Sequence, residues 1–378
     1  MRGAAALAVV AHHAINYSEH IPSSMWLGVV HAVLDRGYIG VPLFFVISGF
    51  CIHLRSAARH AESGLQRMDY LAFWKRRLTR LYPPYVAALL VSMGLLMAAY
   101  IIGRHVQLLD LYPDPKGKWI GIDFLLHLAM LHGFHPIFDR AGGNPPFWTL
   151  AREEYFYIMY FALLAARRRV GAITTTVGVL LIGLIFPPAI RPLLPAGDAW
   201  TVLVRSSAPV LWFQWCLGML AVESYYGLAR LPKFCSAAWL IPLWGAAAIY
   251  ADDSHPVLAP MLWGMTFFTL VNACVQRETV GAWPQWPIVR WLERAGVYSY
   301  SIYLIHNPVR GVLNQVLPHA QVSRPLEYLS MAMVIGICGY ASGRVFFFLI
   351  ESHFLPSRRS GVDPQLILRE SKALAASR

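Results

Sequence analysis

The chain has 378 residues, of which 57% are hydrophobic and only 14% charged, with a mean hydropathy of +0.48. Soluble globular proteins carry about 25% charged residues, and apolar stretches recur here along the whole length, which excludes a soluble domain or a soluble domain with one anchor. A net charge of +12 would point to nucleic acid in a soluble protein; here the basic residues lie mostly between apolar segments, so no nucleic-acid partner is expected and the charge faces anionic headgroups.

The pattern predicts an all-α, polytopic membrane helix bundle. Ten spans are expected, at about 2–17, 38–54, 82–102, 147–166, 172–189, 208–224, 235–251, 257–275, 296–313 and 330–352. Residues 1–355 form the transmembrane domain and 356–378 a short polar tail. Positive charge is concentrated in alternate connections, chiefly 55–81 and Arg167–Arg169, and is sparser in the others. That asymmetry, with an even span count, predicts both termini in the cytoplasm. The first apolar run is short and has no small-residue cleavage site, so it reads as a retained helix.

In chain order, MRGAAALAVVAHH comes first. On a helix Arg2 and His13 stand roughly 16 Å apart, so with Arg2 at the inner surface His13 lies beyond the midplane. Ionisable residues at that depth mark function or a polar partner; a cap for a short helix accounts equally well for His12. In FWKRRLTRLYPPY, Arg76, Arg77 and Arg80 gather just ahead of the third span, with Arg76 and Arg80 on one face. Clustered guanidinium groups suit phosphate, although inner-face anchoring explains them as well. In NPPFWTLAREEYFYIMY a helix is expected from Phe147, placing Arg152, Glu153 and Glu154 in its first two turns. A carboxylate there is favoured by the helix dipole, and could also meet His13 from a second helix and fix its tautomer. In YSYSIYLIHNPV an apolar span carries Ser299, Ser301, Tyr303 and His306, the last also readable as a satisfied core histidine.

Other patterns are set aside. Cys51, Cys216, Cys235, Cys274 and Cys338 are scattered without CxxC spacing, so neither a disulfide framework nor a zinc site is expected. His127, His132 and His135 do not share one helical face, and the segment holding them (IGIDFLLHLAMLHGF) is expected to lie on or dip into the outer surface. His31 and Asp35 repeat an HxxxD spacing in the wrong surroundings for a soluble CoA-dependent acyltransferase.

These stretches together resemble the acyltransferase 3 family of integral membrane acyltransferases. RGAAALAVVAHH is similar to its first-helix pattern, with ten residues between Arg2 and His13. GVPLFFVISGF is similar to its second-helix motif, FWKRRLTRLYPPY to its FxxRRxxRLxP motif, and PPFWTLAREEYFY to its WSLxxE pattern. YSYSIYLIH is similar to its SYxxYLxH pattern and FFFLIE, ending at Glu351, to the end of its last span. The likeness covers about 1–355. Departures are Pro42 where many members carry an acidic residue, Thr149 for the usual Ser, and Ser352-His353 for a basic-Pro pair. The residues that precede the first Arg in family members are missing, which leaves the natural start open. Some members carry a fused extracytoplasmic hydrolase-like domain, which these residues do not include.

The resemblance implies an O-acyltransferase in the bacterial cytoplasmic membrane, with no permanently bound cofactor. It would move an acyl group, in the first instance acetyl, from cytoplasmic acyl-CoA to a hydroxyl of an extracytoplasmic glycan or lipid-linked precursor, or of a small secondary metabolite. It implies His13 and Glu153 as catalytic residues and Arg2, Arg76, Arg77 and Arg80 at the CoA phosphates. Trp148, Tyr300, Tyr303 and His306 would line the substrate tunnel, and Glu153 would orient His13. A proton-coupled transporter or flippase is the alternative from another class; the lack of an inverted repeat and the clustered arginines argue against it.

Overall fold

All ten expected spans fall on helices. The structure, a computed structural model, describes residues 1–18, 21–64, 68–102, 118–281, 283–316 and 324–355. Its helices are α1 (Arg2–Ile15), α2 (Met25–Asp35), α3 (Gly40–Ser63), α4 (Tyr70–Ile101), α5 (Lys118–Leu128), α6 (Pro136–Asp139), α7 (Trp148–Val170), α8 (Ala172–Ile190), α9 (Asp198–Arg205), α10 (Ala208–Tyr225), α11 (Leu240–Ser254), α12 (Ala259–Thr279), α13 (Pro287–Val297), α14 (Ser299–Val316) and α15 (Pro325–Leu349). No strand occurs among the described residues. The expected tail at 356–378 and the stretch 103–117 of the long outer connection lie outside the described residues.

Four segments are long and apolar enough to cross a bilayer by length and composition: Met25–Ser63, Tyr70–Ile101, Ala172–Leu193 and Pro325–Leu349. Their outward faces carry exposed large apolar side chains such as Leu95, Leu181, Ile185, Ile337 and Phe348. Apolar surface on that scale needs lipid against it, and the chain is an integral membrane protein.

Two helices run further than their apolar cores. α3 continues through the basic stretch to Ser63 and ends where Gly64 adopts φ +66°, the left-handed cap position that favours glycine. α4 starts at Tyr70, where the Asp69 carboxylate accepts from the Ala72 N–H at 2.9 Å. The 55–81 connection is therefore mostly helix, and Arg76, Arg77 and Arg80 sit inside α4 rather than ahead of it. The segment expected on the outer surface also differs in detail. α5 buries Ile120, Asp123 and His127 and exposes Leu125, so its hidden face is partly polar.

The core has two halves. In one, α10 is enclosed by α3, α8 and α12, with 15 of its 18 residues buried, as expected of a helix apolar on all sides. Glycines let α3 and α10 touch backbone to backbone. A Cβ on Gly49 would stand 1.9 Å from the Trp215 carbonyl oxygen, and one on Gly218 2.0 Å from that of Val46. In the other half, α1 is packed among α3, α13, α14 and α15, burying Ala5, Ala6, Val9, Val10, Ala14 and Ile15.

Gly49→Ala has no room to relax, because the obstacle is backbone. It should cost about 1–3 kcal/mol, read as a lower temperature at which the detergent-solubilised protein leaves its monodisperse size-exclusion peak. Gly178→Ala in α8, with nothing within 4 Å of the added carbon, is the control and should be neutral or stabilising.

Candidate functional site

Two chambers stand back to back in the bundle. The first, of about 560 Å³, is bounded by α1, α3, α4, α7 and α14. Six arginines line it: Arg2, Arg55, Arg59, Arg76, Arg77 and Arg80. Arg55 and Arg59 are four apart on α3, and Arg76 and Arg80 four apart on α4, so each pair shares a helix face. Arg55 and Arg59 lie in the 55–81 connection, where positive charge by itself reads as a topology signal; their four-residue spacing is the cue to a site. The Arg77 guanidinium lies over the rings of Phe73 and Tyr157, at 5.7 and 5.6 Å. The Nε atoms of Arg77 and Arg80 are buried without a hydrogen-bond partner. Six guanidinium groups facing two carboxylates, Glu153 and Glu154, make this chamber a receptor for a multiply charged anion.

Glu153 is held on its own side of the bundle. Its Oε1 accepts from the Ser48 and Tyr157 hydroxyls, each at 2.5 Å, and Ser48 Oγ accepts from Trp215 Nε1 at 3.3 Å. Neither Ser48 nor Tyr157 stood out in the sequence, although Tyr157 follows Glu153 by one helical turn. Glu351 anchors α14 by accepting from the Ser301 N–H at 3.1 Å and from the Ser301 hydroxyl. Its carboxylate also lies within electrostatic reach of Arg80 and Arg2.

The second chamber, of about 440 Å³, is lined by His12, His13, Trp148, Gln214, Asp252 and Trp263 among others. His13 Nδ1 is 2.9 Å from the Val9 carbonyl and 3.2 Å from His306 Nε2. His306 Nδ1 is 3.0 and 2.8 Å from the carbonyls of Ile302 and Tyr303. A carbonyl can only accept, so both Nδ1 atoms carry hydrogen, His306 Nε2 accepts, and His13 Nε2 keeps its lone pair. His12 is turned elsewhere, with Nδ1 at 2.5 Å from the Asp35 carbonyl and 3.2 Å from its carboxylate.

Two expectations are corrected here. Glu153 does not touch His13: its partners are Ser48 and Tyr157, and the group behind His13 is His306. His306 is not on the wall of either chamber but buried behind His13, at 3% exposure. The other tunnel residues divide. Trp148 lines the second chamber, Tyr300 the first, donating to the Leu81 carbonyl at 2.8 Å, and Tyr303 both.

Among the described residues, only Val41, Phe45 and Tyr303 line both chambers. The Tyr303 hydroxyl is 2.6 Å from that of Thr149, and both lie 3.1 Å from the Pro146 carbonyl. Threonine therefore keeps the hydroxyl of the more usual serine at this place. The arrangement offers a base on one side of a thin wall and an anion receptor on the other.

A family model described as an acyltransferase domain matches residues 1–344. The chain belongs to the acyltransferase 3 family. Among the relatives of this acyltransferase 3 protein is YrhL of Bacillus subtilis, provisionally named a peptidoglycan O-acetyltransferase. It is 25% identical over 362 residues, which are 89% of this chain and 51% of YrhL. Acyltransferase MdmB of Streptomyces mycarofaciens is 25% identical over 331 residues, 81% of this chain and 76% of its own. O-acetyltransferase OatA of Staphylococcus aureus is 28% identical over 129 residues, 34% of this chain and 20% of its own. The chain thus spans about half the length of YrhL. No solved structure matches it.

Beside the two chambers, the connection between α4 and α7 is tied down by Arg152. This guanidinium, 1% exposed, donates to Asp139 Oδ1 at 2.6 Å, to the Ser206 carbonyl at 2.7 Å and to the Gly133 carbonyl at 3.2 Å. His127 and His132 stack with centroids 3.8 Å apart, while His135 faces Trp200 at 5.2 Å, so the three histidines diverge. Among the described residues no group of three or more His, Cys, Asp or Glu is arranged for a metal ion. Removing one partner of a buried pair leaves the other charge unmatched, so Asp139→Ala should destabilise by about 3–5 kcal/mol. Thermal unfolding in detergent checks this, and Asp139→Asn should recover part of the loss.

Proposed function

We propose that the protein is a membrane O-acyltransferase that moves an acyl group, in the first instance acetyl, from cytoplasmic acyl-CoA to a hydroxyl of an extracytoplasmic glycan or its lipid-linked precursor. The observation that carries this reading is the pair of chambers of opposite chemistry sharing a three-residue wall. Ten spans in the bacterial inner membrane, with both termini in the cytoplasm, would set the arginine chamber toward the cytoplasm and the imidazole chamber toward the outside. Family membership supports the reaction class, the names of YrhL and OatA support acetyl as the group, and that of YrhL supports a glycan as the acceptor.

The arginines of the first chamber bind the CoA phosphates, and the pantetheine arm carries the thioester up to the wall. Glu153 and Glu154 accept from the amide N–H groups of that arm. His13 Nε2 takes the proton of the acceptor hydroxyl as its oxygen attacks the thioester carbonyl. The C–S bond breaks, the ester forms, and the CoA thiolate takes the proton back from His13. His306 acts through His13, holding the tautomer that leaves Nε2 free.

Acetyl-CoA turnover by the purified protein in nanodiscs tests the proposal. His13→Ala should lose at least about 100-fold in kcat, the ordinary contribution of a general base, whereas His12→Ala stays within a few-fold. Equal activity in both variants and wild type would sink the catalytic assignment. Substrate movement across sealed vesicles without CoA release would favour a transporter instead. Arg76→Ala and Arg80→Ala should each raise KM for acetyl-CoA about tenfold at nearly constant kcat, the loss of one charge-assisted contact. Initial rates against acetyl-CoA concentration check this.

A further inference from the structure

The imidazole chamber contains a carboxylate that the reaction above does not use. Asp252 stands in the last turn of α11 (Leu240–Ser254), where negative charge opposes the helix dipole. No cation lies within 4 Å of it among the described residues. Neutral donors from two other elements hold it instead. The Tyr38 hydroxyl, from the 3-10 turn before α3, donates to Oδ2, and Trp263 Nε1 from α12 is 3.2 Å from each oxygen. Across the same chamber is Gln214. Its Nε2 donates to the Pro260 carbonyl at 2.8 Å, which fixes the amide's orientation because a carbonyl only accepts. Its Oε1 is left buried with no partner, on a residue 1% exposed. A buried acceptor without a donor is unfavourable, and a ligand hydroxyl would supply one.

The remaining surface is complementary to a ring. Trp148, Trp263, Pro145 and Pro260 line the chamber, and flat apolar faces of this kind stack against the C–H faces of a pyranose while its rim hydroxyls seek acceptors. Arg140 also lines the chamber but lies over the Trp148 ring at 5.3 Å and 4.0 Å from Asp139. We propose that Asp252, assisted by Gln214, reads the hydroxyls of the acceptor beside the one that is acylated, and so selects a neutral polyhydroxyl ring over a deoxy or anionic one. This rests on the acyltransferase reading and adds to it the residues that set acceptor choice. Asp252 is a positioning residue: it accepts from hydroxyls that do not react, and the proton of the reacting one goes to His13.

The test uses the full chain in nanodiscs with acetyl-CoA and a panel of methyl glycosides of glucose, galactose and N-acetylglucosamine. Each is paired with its monodeoxy analogue, and methyl glucuronide is the anionic member. Wild type should prefer the fully hydroxylated, neutral rings. Asp252→Asn should raise their KM about tenfold, the weight of a hydrogen bond to a charged group, and bring deoxy and glucuronide acceptors to within about threefold of them. Tyr38→Phe keeps the carboxylate and should lower thermal stability while leaving the preference in place, which separates selection from a purely structural tie. Should Asp252→Asn not fold, Gln214→Met carries the same comparison. Unchanged KM and preference in the folded variants would overturn the assignment while leaving the acyltransferase reading intact. A wild-type protein that hydrolyses acetyl-CoA but acylates no glycoside overturns the sugar-acceptor reading and this inference together.

Discussion

One short helix fixes the geometry of everything else. α1 carries Arg2 at one end, in the arginine chamber, and His13 near the other, in the imidazole chamber. Eleven residues at about 1.5 Å each set their separation at about 16 Å. Backbone contact holds this ruler in place. A Cβ on Gly3 would stand 2.1 Å from the Leu292 carbonyl oxygen, one on Gly37 2.0 Å from that of Ala8, and one on Gly40 2.4 Å from that of Ala5. The last two are approaches to α1 itself, so neither sliding nor tilting of the helix is accommodated by side-chain adjustment alone. The distance between the two chemistries is thus a property of main-chain packing.

Away from the chambers, one buried ionisable cluster is bound together across α3, α7 and α10. His53 Nε2 and Glu223 Oε1 meet at 2.5 Å, and Arg167 reaches the other oxygen of the same carboxylate at 2.7 Å. Tyr160 closes the set on His53 Nδ1 at 2.8 Å. Pairing of this kind offsets the desolvation of charge at depth. In the chambers, Arg77 Nε, Arg80 Nε and Gln214 Oε1 are buried with no partner among the described residues; atoms such as Arg167 Nε and Asn144 Oδ1 share that state away from the chambers, so it is the clustering on a chamber wall that points to a ligand.

Much of this was legible from residue order. Each of the ten apolar stretches is a helix, because an apolar run of that length satisfies its own backbone only by coiling. The Arg2–His13 interval needed only the helical rise. What hydropathy could not reveal was where a helix stops once its residues become charged, so α3 and α4 extend through a region that read as a loop. α13 escaped for the same reason, and α2, apolar but only 11 residues long, is too short to read as a span of its own. Glu153 was assigned to His13 because both were expected at similar depth; rotation about the axis of α7 turns it instead to Ser48 on α3. Depth follows from counting along one helix, whereas facing depends on how several pack, and nothing local encodes it. Asp252 and Gln214 stand on successive helices, α11 and α10, and that both face one chamber follows from packing rather than from any local signal.

The shared wall has an electrical consequence. If both chambers are open to water on their own sides, the region that keeps those waters apart is not the full hydrocarbon thickness of about 30 Å but a septum built on Val41, Phe45 and Tyr303. Voltage falls where conducting water is absent, so in an energised membrane the potential concentrates across this septum. Moving one elementary charge through the whole potential is worth about 2.3 kcal/mol per 100 mV. Charge that shifts at the septum, including a proton gained or lost by His13, then moves in a focused field. On that condition turnover would be coupled to the membrane voltage although no ion is carried across.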